Sequence, residues 1–150
     1  PAWRQPDPDA LAAEWFVPAG TIYRKVIELK DGSSWKVIDD FLPNEKEFDG
    51  EFTVRWQFAP GTKLERLEDR RFRLERDGVV IYVEASADWE TVLAGGREGG
   101  EGDIDADDRQ TGRVSPSFRV VMAAPFLVLT AQAGYKPCVF STTFLASAPR

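Results

Sequence analysis

Thr21-Ile22-Tyr23-Arg24-Lys25-Val26-Ile27-Glu28-Leu29-Lys30-Asp31-Gly32-Ser33-Ser34-Trp35-Lys36-Val37-Ile38-Asp39-Asp40-Phe41 is the stretch that decides the fold class. Two runs rich in β-branched and aromatic residues flank an Asp-Gly dipeptide that tolerates the positive φ of a tight turn, which is a β-hairpin signature. A two-residue loop at Asp31-Gly32 pairs Lys30 with Ser33. It sets Arg24 opposite Asp39, where opposite charges are worth about 0.2–1 kcal/mol. Both faces mix apolar and charged groups: Ile22, Arg24, Val26, Trp35, Val37 and Asp39 on one, Tyr23, Lys25, Ile27, Leu29, Lys36, Ile38 and Asp40 on the other. That pattern suits a sheet with a core on one side and another domain or a ligand on the other.

Working outward, Phe52, Val54, Trp56 and Phe58 alternate with Thr53, Arg55 and Gln57, a half-buried strand whose apolar side faces a core. Further strands read at Leu64 to Leu67, Arg71 to Glu75, Val79 to Glu84 after a turn at Asp77-Gly78, Glu90 to Leu93, Arg113 to Ser117, Phe126 to Ala131 and Val139 to Leu145. Their spacing of roughly 8–12 residues, with turn residues between, favours an all-β antiparallel sandwich over βαβ units. Residues 1–15 have the composition of a linker or lead-in, with three prolines before Asp9 and a helical turn or an extended stretch over 9–15. A single β domain over 16–150 follows. The acidic, glycine-rich interval 94–111 reads as a long functional or disordered loop.

Composition bounds the chemistry. The 150 residues include no histidine, which removes a Ser-His-Asp triad, a Cys-His pair and any His-built zinc site. Chemistry must rest on Tyr, Arg, Lys, Asp or Glu, or lie outside this chain. A chain of this length buries about 70% of the surface its unfolded form exposes, enough for one core without staples. No apolar run approaches the ~20 residues of a membrane-spanning helix, so a soluble chain without a membrane partner is expected. The net charge of −6, from 25 acidic and 19 basic residues, argues against a nucleic-acid partner. Cys138 stands alone in an apolar strand and reads as a small buried hydrophobe, with no disulfide framework. The chain opens Pro1-Ala2-Trp3 with Met122 as its sole methionine, which suggests a processed or excised piece.

Four motifs in one order resemble the C-terminal β domain of the heparinase II/III-like polysaccharide lyases. They are Tyr23-Arg24-Lys25-Val26, Trp35-Lys36-Val37-Ile38-Asp39-Asp40, Arg55-Trp56-Gln57-Phe58-Ala59-Pro60, and Gly112-Arg113-Val114-Ser115-Pro116-Ser117-Phe118 followed by Ala124-Pro125-Phe126-Leu127-Val128-Leu129. The similarity spans about residues 16 to 146. It implies a large, supersandwich-like antiparallel β-sandwich that packs on an N-terminal α/α toroid catalytic domain and walls a cleft for an acidic polysaccharide. It also implies a periplasmic or secreted parent that cleaves by β-elimination. In that reaction a base removes the proton α to a uronate carboxylate, whose charge is neutralised, and an acid protonates the leaving oxygen. Family members commonly carry a histidine just before the arginine of the first strand and another in the next strand; here those places hold Ile22 or Tyr23, and Gln57. No metal site, cofactor or catalytic residue is therefore expected in this chain.

The candidate substrate-binding residues are Arg24, Tyr23, Trp35 and Asp39. Arg24 with Asp39 reads either as a cross-strand ion pair or as an arginine held ready for an acidic sugar, which a guanidinium grips with two parallel hydrogen bonds. Tyr23 reads as an interface tyrosine or a catalytic phenol, on the face opposite Arg24. Trp35 and Trp89 offer flat indoles for stacking on a sugar ring, whereas Trp56 shares parity with the core. Arg66, Arg70, Arg71, Arg73 and Arg76 interleave with carboxylates and read as a solvated, salt-bridged face. Asp103, Asp105, Asp107 and Asp108 alternate like calcium ligands but lack the central Gly and terminal Glu of that loop. Two functions follow: a non-catalytic cleft-wall domain of a polysaccharide lyase, or a free-standing sugar- or protein-binding module.

Overall fold

The computed structural model describes residues 2–7, 10–44, 50–95, 113–117, 120–134 and 136–147. Every regular element among them is a β-strand. The largest sheet has eight antiparallel strands: β1 (Ala2–Asp7), β2 (Ala10–Val17), β3 (Gly20–Glu28) and β4 (Trp35–Pro43) lie side by side. With β5 (Gly50–Gln57) set aside, the same sheet continues through β13 (Cys138–Leu145), β8 (Val79–Ala85), β7 (Arg71–Arg76) and β6 (Lys63–Glu68). Strand β5 instead joins β12 (Phe126–Ala133) and β9 (Thr91–Gly95) in a three-stranded sheet, and β10 (Arg113–Ser117) pairs with β11 (Val120–Ala123). The chain is an antiparallel β-sandwich.

Alternation explains which face is which. In β4, Val37, Asp39 and Phe41 are buried while Lys36, Ile38 and Asp40 are half-exposed. In β5, Phe52 and Val54 are buried against exposed Glu51, Thr53 and Arg55. The two inward faces meet in a core of Phe41, Phe72, Val83 and Phe140 from the large sheet and Phe52, Val54, Leu127 and Leu129 from the small one. Phe52 lies between the layers, 5.7 Å from the Phe41 ring and 5.3 Å from Phe140. Burying one such aromatic contributes about 1.5–3 kcal/mol.

The decisive hairpin forms in the expected register, with Arg24 opposite Asp39 and Glu28 opposite Trp35. Its loop differs. Leu29 N–H donates to the Ser34 carbonyl at 2.8 Å, so residues 30–33 make a four-residue turn. A two-residue turn of this kind needs positive φ at both central positions. Here only Gly32 has it, at 67°, while the Asp31 carboxylate accepts the Ser33 and Ser34 backbone N–H groups at 3.0 and 2.8 Å and the Ser34 hydroxyl. Both loops keep the same pairing parity. The two-residue Asp-Gly turn occurs instead at Asp77-Gly78, φ 51° and 78°, between β7 and β8.

Residues 2–7 and 10–15, read from composition as linker or lead-in, lie in strands β1 and β2, so of the two alternatives for this stretch residues 10–15 take the extended one and not the helical turn. Proline hides an edge strand from a composition argument: Pro6 lies in β1, the outermost strand, where a missing N–H costs no ladder bond. Strand β11 was not expected either. Of the glycine-rich interval 94–111, residues 94–95 belong to β9, while 96–111 lie outside the described residues, and so does the Asp103–Asp108 string.

Candidate functional site

Arg24 and Asp39 meet on the inward face of the large sheet. Arg24 Nε donates to Asp39 Oδ1 at 2.6 Å and Nη2 to Oδ2 at 3.0 Å, a two-pronged pair fixed by their direct opposition across β3 and β4. Asp39 is 1% exposed and the Arg24 side chain 21%. A carboxylate so buried needs a cationic partner of matching geometry, because an isolated charge there costs several kcal/mol. The third member comes from the other layer: the Arg24 guanidinium carbon lies 5.0 Å from the centre of the Trp56 ring in β5, and Trp56 meets Phe144 of β13 edge-on at 5.1 Å. The ion pair thus ties the two sheets together by charge along one and stacking across the gap.

The other two candidates stand apart from this pair. Tyr23 is one residue from Arg24 and therefore on the outward face, opposite Glu14 of β2 and Asp40 of β4. Trp35 shares the inward face but lies four residues along β4 from Asp39, roughly 13 Å at the rise of a strand. Trp35 is 54% exposed, beside Glu28 and Phe144 in the ladder. The four residues therefore make three places rather than one pocket.

Trp89 is a core residue and not a surface for stacking. It is fully buried, lies 4.6 Å from the Phe140 ring and 6.0 Å from Phe52, and its indole N–H donates to the Ser141 carbonyl at 3.1 Å. It sits in the turn before β9, where no alternation marks an inside. Gln57, in the place of an expected family histidine, donates to the carbonyls of Ala124 and Pro125 and secures the end of β5 to the start of β12.

The arginines of β6 and β7 form the expected charged outer face. Arg71 pairs with Glu84 at 2.7 Å and Glu68 at 3.3 Å, and Arg73 with Glu75 at 2.7 Å. Arg66 and Arg70 are used differently, donating to backbone carbonyls of Val92 and of Ser86 and Trp89 respectively. Burial and then the charge of Asp39 push the Asp40 carboxyl above its ordinary pKa, and burial and then Asp40 push the Cys138 thiol up. Cys138 is half-buried rather than buried, and at neutral pH it is a thiol, not a nucleophilic thiolate. Among the described residues, no three Asp, Glu or Cys side chains converge as a metal site would require.

No protein-family model and no curated protein matches the sequence. A solved structure does match by fold: heparan sulfate lyase HepC from Pedobacter heparinus superposes with a TM-score of 0.70 at 18% identity. The match covers 99% of this chain and 22% of that chain. The protein described here therefore has a heparinase-like β-sandwich fold and spans about a fifth of the length of the lyase it resembles.

Proposed function

We propose that this chain is the supporting β-sandwich domain, over residues 16–150 with its two N-terminal strands, of a periplasmic or secreted polysaccharide lyase. In this reading it packs on an α/α toroid that carries the β-elimination chemistry and walls the cleft that holds an acidic polysaccharide. The observation that supports it most is the fold match along essentially the whole of this chain to a segment of a much longer heparan sulfate lyase. The sequence adds that no histidine is available for proton transfer. Arg24 and Asp39 serve this wall as its internal clamp, since both Asp39 oxygens are taken by Arg24 Nε and Nη2. Trp35, more than half exposed, is the residue best presented to a sugar ring.

Incubating the isolated chain with heparin, heparan sulfate, chondroitin sulfate and alginate, while following ultraviolet absorbance of the unsaturated uronate product, tests the non-catalytic role. No enzyme-dependent rise is expected, and a rise that survives repurification would overturn it. The same assay on the complete natural polypeptide tests the parent. Failure there with every substrate, together with oligosaccharide binding by the isolated chain, would favour a free-standing module instead.

A further inference from the structure

Two polar atoms are buried in the space between the sheets without a protein partner among the described residues: the Trp56 indole Nε1 and the Thr142 hydroxyl oxygen. Strand register and ring contacts place them over the same stretch of β13. Asp39 pairs with Phe140, and Phe144 lies four residues further along β13, roughly 13 Å away. The Trp56 ring is 5.0 Å from the Arg24 guanidinium that grips Asp39 and 5.1 Å from the Phe144 ring. It therefore spans the interval between them, and the pair midway in that interval is Val37 and Thr142. Thr142 is 1% exposed, and its cross-strand neighbours on the inward face are the short side chains Val37 and Ala85.

The two atoms are chemically complementary but do not bond each other directly. An indole N–H only donates, whereas a threonine hydroxyl both donates and accepts. Leaving either unmatched inside a dry core is unfavourable, and buried waters commonly bridge such groups. We propose that a single ordered water sits under the Trp56 ring, accepting the indole N–H and bonding the Thr142 hydroxyl, beside the short side chains of Val37 and Ala85. It extends the Arg24–Asp39 pair into a continuous polar seam between the layers. The site takes water, not a metal or an anion, because its two unmatched groups are one neutral donor and one hydroxyl, and the nearby Arg24 charge is already matched by Asp39.

The test is a rotating-frame NMR measurement of dipolar contact between water and the Trp56 indole proton in the full chain, with the resonance assigned by its loss in Trp56→Phe. A cross-peak of dipolar sign is expected, kept in Thr142→Ser and abolished in Thr142→Val, whose valine is nearly isosteric and should fold. Thr142→Val should also lower the Tm by a few degrees. Absence of the cross-peak in the wild type, its persistence in Thr142→Val, or a higher Tm for Thr142→Val would each overturn the proposal. Absence of the cross-peak or a higher Tm would mean that the two buried groups are tolerated dry, and its persistence in Thr142→Val would mean that water reaches the indole without the threonine.

Discussion

Replacing Asp39 by alanine removes the carboxylate from a position 1% exposed and leaves the Arg24 guanidinium, only 21% exposed, without its two-pronged partner. Breaking a buried pair from one side costs about 3–5 kcal/mol, and the partial exposure of Arg24 puts this change near the lower end, about 3. Arg24→Ala strands the more deeply buried charge and also removes the guanidinium from the Trp56 face, so about 4 kcal/mol is expected. The double alanine variant leaves no orphan charge. Its cost no longer includes a stranded partner of this pair, so it should be no worse than Arg24→Ala by itself, a coupling of about 3 kcal/mol. At the size of this chain, a loss of 3 kcal/mol moves Tm by roughly 6–12 °C, and urea titration gives the free energies if the slope is shared by all four proteins. Coupling of this size exceeds the ~0.2–1 kcal/mol of an ordinary cross-strand pair because Asp39 is buried. Exchanging the two residues should not restore stability, since Asp39 occupies a closed slot that an arginine cannot fill. Single effects that add to within about 0.5 kcal/mol would refute the clamp.

Trp89→Ala should be among the most damaging single changes, at about 3–5 kcal/mol, because it empties the space beside the Phe52 and Phe140 rings. Trp89→Phe should cost less and keep the aromatic stack, which calorimetry on the two variants can separate. Gly95→Ala places a Cβ 2.4 Å from the Phe126 ring and should cost about 1–3 kcal/mol in chemical denaturation, whereas Gly61→Ala, with φ at 77° and open space around it, should cost only the ~1 kcal/mol of its backbone. The two flanking acids make opposite pH predictions. Asp40, whose carboxyl is raised by burial and then by Asp39, favours folding below its unfolded pKa, and that contribution is lost as pH rises through its folded value. Asp40→Asn should therefore melt higher than wild type at neutral pH, with the difference vanishing below about pH 4. Asp31 is lowered first by the Ser34 hydroxyl and then by the Ser33 N–H; its contribution is present at neutral pH and fades as pH falls through its folded value, so Asp31→Ala should melt lower at neutral pH and converge with wild type in acid.

Much of the large sheet was legible in the sequence because hairpins carry local signals. Alternation over 21–41 and the parity of the Asp31-Gly32 turn gave the Arg24–Asp39 register even though the loop proved two residues longer, since lengthening a loop by one residue on each side leaves every pair unchanged. Strand β1 was not legible, because its pairing with β2 depends on being an edge, and proline suppresses strand propensity without forbidding that position. The placement of β13 between β4 and β8 was beyond reach for a different reason. Strands distant in the chain carry no turn between them from which a register can be read, and only the closed hydrophobic core selects the order.

The candidate site shows the limit more sharply. Arginine paired to a carboxylate and tryptophan stacked on a ring grip an acidic sugar, with an aspartate to orient the arginine, and the same three types, as Arg24, Asp39 and Trp56, here grip one another across the two layers. Sequence supplied the in-sheet half of this cluster, because cross-strand opposition follows from parity. It could not supply Trp56, whose contact with Arg24 depends on how one sheet lies over the other. Burial separates the two uses of identical chemistry: at Asp39 the polar atoms are sealed from solvent, so a ligand would have to displace the partner that makes the buried charge tolerable. Trp35 carries no such obligation. It is more than half exposed at the start of β4, and under the proposed function it is the inward-facing candidate that a sugar ring can reach without breaking the clamp.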